Sequence, residues 1–371
     1  MSLYYVSLNK ELCTPRDSVF DIARRDTVLN LNHLTADKIE AKDFFEENFV
    51  TEGMRTLLTE SFRRLQRKSE QAVFKLTQAM GGGKTHNLVT LGMLAKHPEF
   101  RGEVLKGLPG AKELPPVRVV AFSGRETDVP NGIWGEVARQ LEKESSFKDY
   151  YSPLKAPGRT AWINLLKGEP TLILLDELPP YLDNAKSVSV GNSDLAKVTA
   201  TALTNLFEAV VEPELGNVCI VLTDLVGTYA EASAQIGVLL HQLQSEAQRH
   251  SMNLTPVQIN TDEFYHILRK RLFKTLPKEA QVDEVAQAYS KAVQRFRFHW
   301  CVRDAAVTQH ERVASKSNRF LPVQGASAEA ADQFTDFGDE FKQTGTRLHN
   351  FVRFQARMPE ANGRKSAIAH D

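Results

Sequence analysis

Cysteine is scarce in this chain: 371 residues hold three, Cys13, Cys219 and Cys301. They lie far apart and form no metal-ligand spacing, which argues against a disulfide framework and fits a reducing cytoplasm. Cys219 sits in an apolar run and reads as a buried thiol. Net charge is lacking too, because 46 Lys and Arg offset 46 Asp and Glu. That balance speaks against a basic coat for nucleic acid and leaves only a local patch open. No apolar stretch has the length to cross a bilayer, and no signal-peptide core opens the sequence. The expectation is a cytoplasmic chain with no membrane contact, long enough for two to three domains and a large core.

What is present gathers around one stretch. An apolar run from Ala72 to Leu76, interrupted by Lys75, leads through Gly81, Gly82 and Gly83 to Lys84, Thr85 and His86. A helical pattern follows, with Leu88, Val89, Leu91, Met93 and Leu94 on its apolar side. Strand, glycine turn, Lys-Thr and helix is the layout of a phosphate-binding loop. Backbone N–H groups at the positive end of a helix cradle an anion. Lys84 would reach the β and γ phosphates, and the Thr85 hydroxyl would hold Mg²⁺. One feature departs from the pattern: the usual spacing asks for glycine six residues before the lysine, and Gln78 stands there. Gly81 and Gly82 are left to supply the flexibility.

The second strong feature is Thr171-Leu-Ile-Leu-Leu-Asp176-Glu177. Near-continuous hydrophobicity fits a strand buried on both faces, and ligands sit at the carboxyl ends of such strands. Asp176 would hold Mg²⁺, and Glu177 would act as general base toward water. Asn217 to Leu222 is another buried strand ending in Thr223-Asp224. Thr223, ahead of Asp224, is the candidate for sensing the γ-phosphate. Strands at about 72–78, 117–122, 171–176 and 217–223, with a short one near 257–260, alternate with helical stretches, so βαβ units and a parallel sheet are expected. A strand lies in sequence between the glycine-loop helix and the Asp-Glu strand, which suits the subclass carrying a catalytic glutamate beside the Mg²⁺ aspartate.

Elsewhere, Val28, Leu29, Leu31 and Leu34 form one short element, and Met54, Leu57, Leu58, Phe62 and Leu65 recur at helical spacing. Arg63, Arg64, Arg67 and Lys68 read as the solvated end of that helix. Loops are expected from Pro98 to Pro116 and over about 183–194, with Pro179-Pro180 ending the Asp-Glu element. Helices are expected from about Ala230 to His250 and over Phe264 to Phe273. Arg249, Arg269 and Arg271 are candidates to neutralise phosphate charge, Arg249 foremost. Residues 283–298 read as a lid helix, and beyond His299 the apolar pattern degrades.

The segments DFFEENFVTEGMRTLL, FKLTQAMGGGKTHNL, IWGEVARQL, LILLDELPPYL and ILRKRLF occur in an order that resembles a family of large prokaryotic ATP-binding proteins. That family carries a conserved domain of unknown function and often sits beside methyltransferase and helicase genes of phage-defence islands. The chain is also similar to the wider AAA+ and initiator-like ATPases. The resemblance implies ATP and Mg²⁺ at Lys84 and Thr85, hydrolysis by Asp176 and Glu177, and adenine near Phe49 to Gly53. It also implies that this chain is a short or truncated form of a longer protein.

The combined expectation is an α/β P-loop NTPase, AAA+-like, a three-layer parallel sheet with helices on both faces followed by a helical lid. The boundaries expected are an extension over 1–34, the ATPase domain over 35–260, a lid over 261–300 and an irregular C-terminal part over 301–371. The function expected is ATP hydrolysis in defence against phage or foreign DNA, with homo-oligomers, DNA or defence-system proteins as partners. Three alternatives stand beside it: a nucleotide-gated scaffold with negligible hydrolysis, a DNA-acting motor, and a phosphotransferase.

Overall fold

Strands of near-continuous apolar character must cover both faces, and four such strands build the core of this protein. The computed structural model describes residues 14–20, 29–77, 83–223, 245, 251–255 and 263–275. The chain divides into two compact units, one spanning Val28–Gln258 and the other Met1–Thr27 with Ile259–Asp371.

The first unit is organised on a five-stranded parallel sheet. Its strands are β1 (Val73–Leu76), β2 (Arg118–Ser123), β3 (Thr171–Asp176), β4 (Val218–Thr223) and β5 (Ser251–Leu254), in spatial order β2-β3-β4-β1-β5. Side chains alternate across the sheet with period two, and the alternation sorts the core into two layers. Val73, Val120, Phe122, Ile173, Leu175, Ile220 and Leu222 face one way. Phe74, Leu76, Ala121, Leu172, Leu174, Cys219 and Val221 face the other. The second face is covered by helices α1 (Glu52–Leu65) and α2 (Lys84–Lys96) and by the short helix Leu31–Thr35. The first is covered by α3 (Gly132–Gln140), α4 (Arg159–Leu166), α5 (Leu178–Ala185) and α6 (Leu195–Ala209). The result is a three-layer α/β unit with helices on both faces of a parallel sheet. Among the described residues, no helix is long and apolar enough to cross a membrane.

The local sequence accounts for several helix ends. Thr51 caps α1 by accepting from the Met54 N–H at 3.1 Å, and Asp194 caps α6 by accepting from the Lys197 N–H at 2.8 Å. Pro179 and Pro180 fall in the first turn of α5, where a missing N–H is harmless. They therefore open a helix as well as ending the strand before it. A helix at Pro98–Val104 and a hairpin of Ser189–Val190 with Ser193–Asp194 replace stretches expected to be plain loop. The fifth strand lies at Ser251–Leu254, in a stretch that reads as a polar hinge. The expected strand near 257–260 and the expected helix over 230–250 (Ser245 apart) fall outside the described residues.

One residue of the basic run at the end of α1, Arg64, corrects the sequence reading. Arg64 is buried, and its guanidinium donates to the carbonyls of Ser69, Glu70, Val210, Leu215 and Val218. Arg67 donates to Asn217 Oδ1 at 3.1 Å, and Lys68 to the Pro109 carbonyl at 3.1 Å. Loop carbonyls without a backbone donor need partners, and long basic side chains supply them. Arg64 thus binds the protein's own carbonyls inside the fold, while Arg63, Arg67 and Lys68 stay exposed as expected.

In the second unit, the helix Glu263–Leu272 occupies the place predicted for it. It passes into a short strand, Phe273–Thr275, which pairs antiparallel with Thr14–Pro15. The expected lid helix over 283–298 lies outside the described residues.

Candidate functional site

The strand register brings the polar residues together. Ser123 pairs with Asp176, Leu175 with Leu222 and Leu76 with Thr223, so four carboxyl ends finish side by side. Open α/β sheets bind ligands at that edge. The residues just past it are Gly124 and Arg125 after β2, Glu177 after β3, and Gly83, Lys84 and Thr85 at the start of α2.

Asp176 is the centre of this cluster. The Thr85 hydroxyl donates to Asp176 Oδ2 at 2.6 Å, across 91 positions of sequence. The Thr223 hydroxyl donates to Oδ1 at 2.9 Å and accepts the Glu177 N–H at 3.0 Å. Thr223 thus ties the aspartate side chain to the backbone of the next residue. Asp176 is 4% exposed. Burial raises its carboxyl above the ordinary carboxylate range, opposed by the two threonine hydroxyls, while the Glu177 charge raises it and the Lys84 charge lowers it.

Glu177 has left-handed backbone, φ 48° and ψ 45°, between the end of β3 and the start of α5. A non-glycine residue in that region carries strain that surrounding structure must impose. The neighbouring turn imposes it here. The Gly124 N–H donates to the Asp176 carbonyl at 2.8 Å. A Cβ on Gly124 would stand 2.0 Å from the Glu177 carbonyl oxygen, so only glycine allows the two turns to approach this closely. The Glu177 carboxylate is gripped from the same turn by Arg125. Nε pairs with Oε2, and Nη2 reaches Oε1 at 3.1 Å. Arg125 was not among the residues expected at the site. The signal for it was its place three positions past a buried strand, beside the strand bearing the carboxylates.

At the glycine loop, Gly83 is left-handed, φ 78° and ψ 17°, and caps α2, whose first residue is Lys84. His86 turns toward the segment before α1: its Nε2 lies 2.7 Å from Asn48 Oδ1, and its ring is 5.4 Å from that of Phe44. The stretch expected near adenine thus begins beside residues that contact the start of α2. Gln78, Gly81, Gly82, Asp224 and Arg249 lie outside the described residues. Arg269 and Arg271 lie on the helix Glu263–Leu272 of the other unit.

The donor set is all oxygen, the Thr85 hydroxyl and the Asp176 carboxylate, which suits a hard ion such as Mg²⁺. Among the described residues, no group of three or more His, Cys, Asp or Glu forms a metal cage. Mg²⁺ needs none, because it keeps waters and is completed by substrate phosphates. The residues present therefore fit the ion expected from the sequence.

No curated protein matches the chain. The DUF499 N-terminal domain, a domain of unknown function, matches residues 31–115 and 110–240, together more than half of the chain. The matched span holds β1 to β4, α1 to α6 and every described residue of the cluster. This agrees with the expected family carrying a conserved domain of unknown function, and the chain belongs to the family of the DUF499 N-terminal domain.

Proposed function

We propose that this protein is a Mg²⁺-dependent ATPase of P-loop, AAA+-like architecture. The observation that carries the reading is the 2.6 Å bond between Thr85 and Asp176. It brings the Lys-Thr start of a helix against a strand-end carboxylate, where a phosphate-bound cation needs both. The strand order supports it, since β4 separates the glycine-loop strand from the Asp-Glu strand, as the inserted-strand subclass requires.

In this reading Lys84 and the N-terminal N–H groups of α2 bind the β and γ phosphates. Thr85 and Asp176 hold Mg²⁺, which neutralises charge on the phosphate oxygens. Glu177 accepts a proton from water as the water oxygen forms its bond to the γ-phosphorus. The β,γ-bridging P–O bond breaks, and ADP leaves with the electron pair. Thr223 keeps Asp176 and the Glu177 backbone in their mutual geometry. The resemblance adds the proposal that turnover serves defence against phage or foreign DNA.

A second reading is favoured by one observation. The Arg125 pair engages the carboxylate that would activate water, so a nucleotide-gated switch with negligible basal hydrolysis also fits. Phosphate release from Mg-ATP and nucleotide affinity, measured on one panel, test both. Wild type is expected to bind and hydrolyse, Lys84→Ala to lose binding, and Glu177→Gln to bind without turnover. Arg125→Ala raising a near-zero basal rate would establish the switch. Full turnover in Glu177→Gln would remove the general-base role from Glu177, and no nucleotide bound by wild type would sink the ATPase assignment.

A further inference from the structure

Asn87 lies near the start of α2, is 2% exposed, and takes no part in the scheme above. Its Nδ2 donates to the Gly83 carbonyl at 2.9 Å, and its backbone N–H donates to the same oxygen at 3.0 Å. This bond fixes which way the side-chain amide faces. Reversed, Oδ1 would meet a carbonyl oxygen with no proton between them. In the orientation adopted, Oδ1 is buried and has no hydrogen-bond partner among the described residues. Buried polar atoms left in this state are few in native proteins and call for a reason other than packing.

A planar trans peptide points its C=O and its N–H in opposite directions. Drawing the Gly83 oxygen along α2 toward Asn87 therefore turns the Lys84 N–H out of the helix's N-terminal end, the end that attracts anions. The carbonyl of an ordinary N-cap residue accepts only the backbone bond. Here a side chain adds a second donor at a glycine whose left-handed backbone has many alternatives open to it. It does so in a loop where Gln78 replaces the usual first glycine.

We infer that Asn87 is a positioning residue for the phosphate-binding turn, its side-chain amide fixing the Gly83–Lys84 peptide so that the Lys84 N–H faces the bound phosphate. The inference rests on the nucleotide reading of this site.

Calorimetric affinity for Mg-ATP, measured on the full chain for wild type, Asn87→Ala and Asn87→Ser, tests it. Alanine and serine are close in volume, but the serine hydroxyl returns a donor to the carbonyl four residues back. Loss of one hydrogen bond predicts about 5- to 10-fold weaker binding for alanine, and serine within about 3-fold of wild type. A packing role instead predicts the same affinity and the same nucleotide-free thermal midpoint for both. Gly83→Ala is an independent probe. Among the described residues its Cβ would meet nothing nearer than Asn87 Nδ2 at 3.9 Å, so the substitution acts by disfavouring the left-handed turn. Weaker Mg-ATP binding is expected there too. Alanine at position 87 binding like wild type, or serine binding as weakly as alanine, would overturn the positioning role and leave the nucleotide reading intact. A wild type that binds no Mg-ATP would overturn both.

Discussion

Asp176 shows the cost of burying a carboxylate at the end of a sheet strand. Its carboxyl is raised mainly by burial, so the protonated form is favoured in the fold. The stabilisation linked to that proton is complete below the unfolded value near 3.9 and is lost as pH rises through the raised folded value. At neutral pH the ionised group is a burden. Asp176→Asn is therefore expected to raise the nucleotide-free stability by on the order of 1 kcal/mol, or about 2–4 °C in Tm. The gain should shrink as pH falls below the folded value, and the same variant should lose Mg²⁺-dependent nucleotide binding. A thermal scan against pH checks the first part and titration calorimetry the second. Lys84, Thr85, Asp176, Glu177 and Thr223 were legible as candidates because each ends or begins an element whose pattern is strong. Arg125 was not, because its partner Glu177 is 52 positions away and no periodicity records where a turn aims a side chain.

At the scale of elements, the four largely apolar strands were readable because burial on both faces leaves little room for polar residues away from the strand ends, Lys75 being the exception. Strand β5 was not, because its sequence, Ser-Met-Asn-Leu, is half polar and it pairs on one side, with β1. Edge strands are chosen by their neighbour more than by propensity. Arg64 at the basic end of α1 was misread for a similar reason, since helical charge rules describe a helix alone. Arg64 serves carbonyls on both the loop leaving α1 and the segment between α6 and β4, and burial lowers its pKa from the ordinary arginine value. Removing it would leave several buried carbonyls without donors. Arg64→Met is expected to destabilise the unit by about 2–4 kcal/mol. Urea denaturation with an unchanged m-value and a lower midpoint checks this, and an unaltered midpoint would return Arg64 to the role of a solvated helix end.

For the whole molecule, the balanced charge removes a general attraction to nucleic acid and leaves the sheet edge as the feature with the most specific chemistry. The cluster there joins α2, β3, β4 and the turn after β2, which are parts of one unit far apart in sequence. A ligand bridging them stabilises the folded unit by mass action, about 2.7 kcal/mol at a hundred times its Kd. For a unit of this size that corresponds to about 5–10 °C in Tm. The chain has two compact units, so one two-state transition is not assumed. Mg-ATP is expected to shift the transition of the unit spanning Val28–Gln258 and to leave the other in place. Lys84→Ala should cancel the shift, read against that variant's own nucleotide-free midpoint. Differential scanning calorimetry with and without Mg-ATP reads both quantities. A shift that persists in Lys84→Ala would mean that nucleotide binds elsewhere, and that the bond between Thr85 and Asp176 serves the fold alone.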